Sequence, residues 1–225
     1  MRPRVTPRAP KASSNPAPTS ASTPLPDRSR AASTTPSTRV ALRAPRPDDE
    51  AEFLALVRAS RTLHRAWVRP PRTPGEFHHY LARAATEWDA IPAHVCRLVV
   101  RPDDDALLGV CNLNNLVWGG LRAASLGYYA FAPSAGRGYV REGVAELLTF
   151  AFRRFGLHRV EAAVQPGNAA SLALVRALGF RHEGSSPRYL MLGGRWRDHE
   201  RWALHAEEWR PRRGGRAAPG RTGPA

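Results

Sequence analysis

The most informative segment of the chain reads Leu126-Gly-Tyr-Tyr-Ala-Phe-Ala-Pro-Ser-Ala-Gly-Arg-Gly-Tyr-Val-Arg-Glu142. A strand-like run ends here, glycines at 136 and 138 make a turn, and a helix follows. Apolar side chains then recur at helical spacing from Val140 to Phe155. The first backbone N–H groups of a helix have no partner within it and lie at the positive end of its dipole, where anions bind. We therefore predict an anion site at residues 136–140.

The two glycines do not complete any of the common phosphate-binding motifs. Gly136-Arg-Gly138 lacks the third glycine of a dinucleotide-binding fingerprint, and the chain has no Gly-Lys-Ser/Thr of a P-loop. It also lacks a Gly-x-Ser-x-Gly elbow and a His-Glu-x-x-His helix. A serine hydrolase or a zinc hydrolase is therefore not predicted. Taken alone, the glycines could simply permit a tight turn.

The segments before residue 126 predict a strand, two helices and a three-stranded meander. The second helix begins at a capping box, Thr73-Pro-Gly-Glu76, with Pro at the first helical position. Apolar runs separated by Asp-rich and Gly-rich turns follow, as in antiparallel strands. The predicted elements are a strand at 39–44, a helix entered through Pro47, a helix from Pro74 to about Trp88, and strands at 95–100, 107–116 and 125–131.

The segments after residue 156 predict alternating strands and a helix. A short strand covers 160–164, Asn168 caps a helix, and closing strands cover 180–183, 189–192 and 201–205, with Trp196 and Asp198 shaping a turn between them. The complete order predicts an α/β fold with a single mixed, mostly antiparallel sheet flanked by helices.

Composition predicts one domain with a basic tail at each end. Residues 1–38 and 210–225 are rich in Pro, Ala, Gly, Ser, Thr and Arg, cannot bury much apolar surface, and are predicted to be disordered, which leaves a domain at 39–209. Each tail carries +5 of the total charge of +15. Nucleic acid is therefore expected to bind only through the tails. The sequence has no run typical of a membrane span or signal peptide, and a cytoplasmic protein without membrane contact is expected.

Five ordered motifs carry a family resemblance over 39–209: Leu126-Gly-Tyr-Tyr129, Ala135-Gly-Arg-Gly-Tyr-Val-Arg-Glu142, Phe155-Gly-Leu-His-Arg-Val-Glu161, Asn168-Ala-Ala-Ser171 with Leu178-Gly-Phe180, and Gly194-Arg-Trp-Arg-Asp198. Together they resemble the GNAT acetyltransferases, and within them the Rim-type branch of ribosomal-protein N-terminal acetyltransferases. The resemblance implies that acetyl coenzyme A is the co-substrate.

The resemblance also implies which residues contact that co-substrate. The strand at 130–133 would pair with the pantetheine arm, amides at 136–140 would hold the pyrophosphate, and the start of the next helix would lie near the thiol. The implied contact residues are Phe131, Ala132, Ala135, Gly136, Arg137, Gly138, Tyr139, Val140, Asn168 and Ser171. No metal site is predicted.

Two residues depart from the family pattern. Pro133 stands where a Gln or Arg is usual, which removes one side chain from the cofactor site. Gly143 replaces a usual Ala at a cost of about 1 kcal/mol in a helix interior, and it either eases cofactor approach or is a tolerated weakness.

Acetyl transfer needs a neutral amine, a polarised carbonyl and a proton for the leaving thiolate. Ser171 is the candidate acid, and a backbone N–H near Phe131 is the candidate oxyanion donor. The base is either Glu183 or a chain of waters, and the favoured interpretation of Glu183 is an ordinary solvent-facing strand residue.

Several other residues have simpler interpretations. The His78-His79 pair and His64 are expected on exposed helix faces rather than on a metal, and the two cysteines as buried thiols. Acceptor specificity is expected in the two N-terminal helices and their loop, residues 60–74. Two interpretations are open for Trp67, Trp88 and Trp118, which either line the acceptor site or belong to the core or a lid. The candidates to face the acceptor cleft are Asn112, Asn114 and Asn115.

The predicted function is an N-acetyltransferase that acts on a protein N-terminus or a small-molecule amine, by direct attack in a ternary complex. Two alternatives stay open. One is a catalytically degenerate sensor of acyl coenzyme A, and the other is a nucleic-acid-associated protein that uses its tails. The sequence makes no prediction of the oligomeric state.

Overall fold

The computed structural model of the chain describes residues 39–85 and 92–211. Predictions for 1–38, for Trp88 and for 212–225 lie outside these residues. The elements are β1 Ala41–Arg43, α1 Glu50–Ala59, α2 Arg61–His64, α3 Pro74–Ala85, β2 Val95–Val100, β3 Leu107–Val117, β4 Ala123–Ala130, α4 Tyr139–Arg153, β5 Arg159–Val164, α5 Ala169–Ala177, β6 Arg181–Leu192 and β7 Arg195–His205, with 3-10 turns at Pro47–Asp49 and Ala132–Ser134.

The strands form one seven-stranded sheet in the order β1-β2-β3-β4-β5-β7-β6. The pair β4 and β5 is parallel, and the other neighbouring strands are antiparallel. The predicted meander is β2-β3-β4, and the predicted mixed, mostly antiparallel sheet is confirmed.

The closing strands differ from the prediction. The runs at 180–183 and 189–192 belong to a single strand, β6, whose register against β7 shifts on both sides of residues 184–186. Asp198 Oδ1 accepts a hydrogen bond from the Arg188 N–H at the second shift (2.7 Å). Trp196 and Asp198 therefore lie within β7, and the turn is made by the glycines at 193 and 194.

Apolar side chains pack on both faces of the sheet. Helices α1 and α3 cover one face around Phe53 and Phe77, whose side chains are fully buried. Helices α4 and α5 cover the other face around Leu147 and Val175. Alternate strand residues contribute to opposite faces, which explains why Cys96 and Cys111, neighbours across β2 and β3, are buried in different clusters and are free thiols.

Gly143 lets α4 lie close against the sheet. A Cβ atom at this position would approach Val99 Cγ2 to 2.7 Å and Leu42 Cδ2 to 3.4 Å. The glycine therefore serves helix packing, because the surface it presents touches β1 and β2.

The described residues contain no helix long and apolar enough to cross a membrane. Within the same ranges, no three His, Cys, Asp or Glu side chains are grouped so that they could hold a metal ion.

Candidate active site

The parallel strands β4 and β5 separate along their length. Their paired residues are Ala123–Ser125 and Arg159–Glu161, after which both strands continue without pairing to each other. We call the space between 126–130 and 162–164 the wedge. A cavity of about 1020 Å³ occupies it and extends to the N-terminus of α4. The sheet thus opens beside the predicted anion site.

The N-terminus of α4 forms a backbone cradle at residues 134–141, all of which line the cavity. Gly136 and Gly138 have φ values of +75° and +82°, which side chains rarely tolerate. Gly138 is the N-cap residue of α4, and no side chain caps the helix there. The first N–H groups of α4 are therefore available to an anion.

Positive charge surrounds the cradle. Arg137 and Arg141 line the cavity, and the Arg39 guanidinium donates to the Arg137 carbonyl (3.4 Å) and pairs with Glu142. The Arg39 Cζ atom also lies 5.1 Å from the centroid of the Tyr139 ring. A pyrophosphate fits these residues, since amides, glycines and guanidinium groups converge on one surface.

Asn168 and Ser171 lie at the other end of the cavity, in the first turn of α5. Asn168 Oδ1 accepts the Ser171 N–H (3.1 Å), which is the predicted N-cap. The Ser171 hydroxyl lies 2.6 Å from the Tyr128 hydroxyl on β4. Burial raises the pKa of Tyr128 to about 12. The structure therefore places the Tyr128 hydroxyl beside that of Ser171, a pairing that the sequence did not indicate.

The edge of β4 directs alternate backbone groups into the wedge. The Phe131 N–H donates to the Leu108 carbonyl of β3 (3.1 Å), so the backbone groups of Ala130 and Tyr128 point away from β3. The Ala132 N–H donates to Ser60 Oγ (2.8 Å). Phe131 and Ala132 do not line the cavity. Their predicted contact with the cofactor stays a prediction, and the backbone edge that lines the cavity is at 126–130.

Glu183, the sequence candidate for a base, lies away from the cavity lining. Its carboxylate accepts hydrogen bonds from Arg159 and from Arg181 (3.0 Å). These two guanidinium groups lower the pKa of Glu183 to about 2. Such a carboxylate is a poor proton acceptor at neutral pH, and the geometry favours its alternative interpretation as a structural strand residue.

Residues 64–68 cross the open end of the wedge, and we call them the strap. On one side the His64 Nε2–H donates to the Ala130 carbonyl of β4 (2.8 Å). On the other side the Gln165 amide, directly after β5, donates to the Ala66 carbonyl (3.0 Å). The Trp67 ring packs over Gly167, 3.5 Å from the position a Cβ would take there. The strap thus bridges the two separated strands.

The strap belongs to the segment 60–74 in which acceptor specificity was expected, and residues 63, 64 and 67–69 line the cavity. His64, however, is only 2% exposed, so its predicted exposure is wrong. The backbone breaks between α1 and α2 at Ser60, whose hydroxyl donates to the Leu56 carbonyl (2.6 Å). The break does not change the helical phase, because His64 follows the buried Phe53, Val57 and Ser60 at helical spacing. His78 is exposed and pairs with Glu50 (2.8 Å).

Some of the asparagines and tryptophans predicted at the acceptor cleft line the cavity, and the others pack within the protein. Asn114 and Asn115 line the cavity with Trp67. Asn112 Oδ1 instead accepts the Tyr80 hydroxyl (3.0 Å). Trp118 packs edge-on against Phe155 in the core layer of α4.

His199 on β7 is a further cavity residue that sequence reasoning missed. Its side chain is 3% exposed, and its Nδ1–H donates to the Arg197 carbonyl (3.0 Å). The Tyr189 ring packs against it with centroids 5.9 Å apart. Only its position in a strand register, which the sequence does not show, brings it to the cavity.

These features together define an N-acyltransferase fold: a mixed sheet splits between two parallel strands, and a glycine-rich helix N-terminus lies beside the split. The family model described as "Acetyltransferase (GNAT) domain" matches residues 39–181. The chain belongs to this family, as its motifs predicted.

Curated and solved relatives agree with this assignment. The [ribosomal protein uS5]-alanine N-acetyltransferase of Escherichia coli is 36% identical over 112 residues, which are 50% of this chain and 58% of that protein. The alignment thus spans less than two thirds of the relative. Mycobacterium smegmatis RimJ, solved with CoA-disulfide, has a TM-score of 0.63 at 28% identity, over 75% of this chain and 83% of that one. Spermidine N-acetyltransferase of Vibrio cholerae, solved with CoA and spermine, shares the fold (TM-score 0.64, 19% identity, 76% and 97% covered).

Proposed function

We propose that residues 39–209 form an N-acetyltransferase that transfers an acetyl group from acetyl coenzyme A to the primary amine of a protein N-terminus. The observation that carries this proposal is a single cavity that joins the α4 cradle to the split between β4 and β5. Membership of the GNAT family and the CoA-bound relative support the same co-substrate.

In this proposal the pyrophosphate binds at residues 135–140, where amides and guanidinium groups converge. The pantetheine arm runs along the free edge of β4 at residues 126–130 and brings the thioester toward Ser171. An Ala130 or Tyr128 N–H, directed into the wedge, would stabilise the oxyanion.

The chemistry needs no covalent enzyme intermediate. The neutral amine attacks the thioester carbonyl carbon while both substrates are bound, since proximity lowers the barrier of the bimolecular step. A C–N bond forms, the C–S bond breaks, and the departing thiolate takes a proton from the Ser171 and Tyr128 hydroxyl pair. The products are an amide and free coenzyme A.

The charges of the cavity favour a single amine over a polyamine. Among the described residues, Glu161 is the one carboxylate of its lining, and it accepts hydrogen bonds from Arg159 (2.7 Å) and Arg201 (2.9 Å). Arg69, Arg83 and Arg201 add positive charge to the same walls. A polyamine with several ammonium groups would meet no free carboxylate here, and like charges would oppose it. The named activity of the E. coli relative, on a protein alanine, also favours a protein N-terminus.

The first test is calorimetric titration of the protein with acetyl coenzyme A, for which we expect micromolar binding. The second is thiol release with a hexapeptide that has a free N-terminal Ala, with spermidine, and with the same peptide carrying a blocked N-terminus as the matched control. We expect turnover with the free peptide alone. Faster turnover of spermidine would contradict the proposed acceptor, and a folded protein that does not bind acetyl coenzyme A would contradict the activity.

A further inference from the structure

His64 Nδ1 has no hydrogen-bond partner although it is buried. Within the described residues it is the one buried side-chain nitrogen or oxygen atom without such a partner. Leaving a buried polar atom unpaired costs free energy, and such atoms in folded proteins call for an explanation.

The hydrogen bond on the other ring nitrogen fixes the tautomer. A carbonyl oxygen only accepts, so the 2.8 Å contact with the Ala130 carbonyl requires a proton on Nε2. In the neutral ring, Nδ1 therefore carries a lone pair. The missing partner must be a donor, such as an amine N–H.

The position of the ring places His64 at the edge of the cavity where we placed the thioester. His64 lines the cavity and bonds to the backbone of Ala130, at the edge of β4 along which we placed the thioester. Its ring packs edge-on against Tyr129, 5.1 Å between centroids. The strap, which carries His64, covers the open end of the wedge and belongs to the segment expected to contact the acceptor.

We propose that the Nδ1 atom of His64 receives the acceptor amine and takes the proton that its nitrogen loses as the amide forms. This inference rests on the proposed function. The amine N–H donates to Nδ1, which directs the nitrogen lone pair at the carbonyl carbon. After attack, the positively charged nitrogen of the adduct passes its proton to Nδ1, while the hydroxyl pair gives one to the thiolate. Exchange with solvent protons restores both groups.

The surroundings of His64 keep its ring neutral for this task. Burial lowers the pKa of His64 below 6.5, and the nearby positive charge of Arg72 lowers it further, while the Ala130 carbonyl opposes these effects. The Tyr129 phenol packs against the ring, and burial raises the pKa of this phenol. A neutral imidazole at pH 7 can accept a proton without first losing one.

His199 is the competing candidate, because it is also a buried histidine that lines the cavity. Its Nδ1–H is used by its own strand, and β5 separates β7 from β4. It therefore lies farther along the sheet from the edge where Ala130 bonds to His64. Substitution of each histidine by Gln therefore gives a test variant, at His64, and a matched control, at His199.

The experiment compares the full chain with His64→Gln and His199→Gln, using acetyl coenzyme A and the free N-terminal Ala peptide. The Gln amide can still donate to Ala130 but cannot take a proton. We expect His64→Gln to lower kcat/KM at pH 7 by about 100-fold, a usual size for loss of a base, with coenzyme A affinity unchanged within twofold. His199→Gln should lower kcat/KM by less than tenfold.

The pH profile separates a base from a merely structural contact. In the unsubstituted protein, log kcat/KM should rise with pH at a slope of 2 below the pKa of His64, because both His64 and the peptide amine must lose a proton. Between that pKa and about pH 8, where the peptide amine ionises, the slope should be 1. His64→Gln should show a slope of 1 throughout, and His199→Gln should keep the steeper limb. Loss of that limb in His199→Gln instead would overturn the proposal.

A spectroscopic readout does not depend on turnover. Two-bond ¹H–¹⁵N spectra of the full chain loaded with coenzyme A should show His64 as the Nε2–H tautomer at pH 7, and the Ala peptide should shift its Nδ1 resonance. An unshifted Nδ1 resonance at saturating peptide overturns the inference whether or not the protein turns over. A shifted resonance without turnover would contradict the proposed activity and leave the amine contact standing.

Discussion

The hydroxyl groups of Ser171 and Tyr128 form a contact that joins α5 to β4 across the proposed thiol position. Ser171 also donates its N–H to Asn168, which fixes the start of the helix. Because the two hydroxyl groups are hydrogen-bonded, a proton that one of them donates can be replaced by a proton from the other. The two side chains are therefore expected to act as one donor.

Tyr128→Phe should lower kcat by about tenfold to 100-fold, since the proton for the thiolate would lose one of its two carriers. Ser171→Ala should have a similar effect, and the double variant should be little worse than either single one. The measurement is steady-state thiol release with the Ala peptide, together with calorimetric coenzyme A affinity as a control for folding. Additive losses in the double variant would show that the two hydroxyls act separately.

Gly136→Glu should weaken coenzyme A binding by at least tenfold. The substitution puts a side chain on a residue with φ of +75° and a negative charge among the amides proposed to hold the pyrophosphate. Titration calorimetry measures the change. Gly119→Glu is the matched control, because Gly119 has φ of +71° but lies in the turn between β3 and β4. Equal affinities in two folded variants would argue against the cradle.

Some site residues could be predicted from the sequence because local rules place them. Asn168 and Ser171 follow from helix capping, and the cradle follows from glycines before a helix. Tyr128 could not be assigned, since its partner lies 43 positions away along the chain. His64 was predicted on the wrong face because only apolar residues were counted toward the buried face, although His64 continues that face at helical spacing from Phe53 and Val57.

At the level of elements, α4 determines where the cradle lies relative to the sheet. The helix packs against β1 and β2 at Gly143, where no side chain separates the two surfaces. A helix that moved outward would carry residues 136–140 with it.

Gly143→Ala should destabilise the protein by about 1 kcal/mol. Helix propensity favours Ala by about 1 kcal/mol, but overpacking against Val99 costs about 1–3 kcal/mol, and the contact at 2.7 Å makes the second effect larger. Urea unfolding followed by circular dichroism gives the difference. Gly75→Ala on α3 is the control, since a Cβ there meets no atom within 4 Å. A gain in stability at Gly143 would contradict the packing role.

The ion pairs of Arg159 join β5 to β6. Arg159 binds Glu161 on its own strand and Glu183 on β6, and Arg201 of β7 binds Glu161. A folded-state pKa near 2 for Glu183 means that the carboxylate stabilises the fold above pH 4.5 and loses this effect as pH falls toward 2.

Glu183→Gln should lower the free energy of unfolding at pH 7 by less than about 1 kcal/mol, because the pair is partly exposed to solvent. The difference from the unsubstituted protein should narrow as pH falls below 4.5. Urea midpoints at several pH values test this. Asp103→Asn serves as the control, since none of the ion pairs between described residues includes Asp103. A difference that grows in acid would have the wrong sign.

The order of the elements was more predictable than the bounds of the last strands. Strands β2 to β5 follow from alternation and turn residues, which are local signals. β6 was divided in the prediction because Gly184 and Pro187 usually end strands. In the structure β7 pairs with β6 on both sides of this interruption, and register shifts absorb it.

At the scale of the whole molecule, the basic charge and the proposed chemistry lie in different parts of the chain. Two thirds of the +15 net charge belongs to residues 1–38 and 210–225, whereas the cradle, the wedge and the strap lie between Arg39 and Arg201. The family model also begins at residue 39.

A chain that begins at Arg39 should bind acetyl coenzyme A with an affinity within twofold of the full chain. A chain that begins at residue 44 should bind more weakly, because it lacks the Arg39 contacts with Arg137 and Glu142 and also lacks β1. Calorimetry on both, with circular dichroism to verify folding, measures this. A large loss in the first chain would assign residues 1–38 to the site.

The strap also affects how a substrate enters the site and how the product leaves it. Because the loop is fastened to both separated strands, we expect it to admit the end of a polypeptide but not a continuous backbone across the wedge. A substrate would then have to thread in tip first, and internal lysines of folded proteins would stay out of reach. Departure of the acetylated chain would require this fastening to loosen, so we expect turnover to slow in viscous solvents.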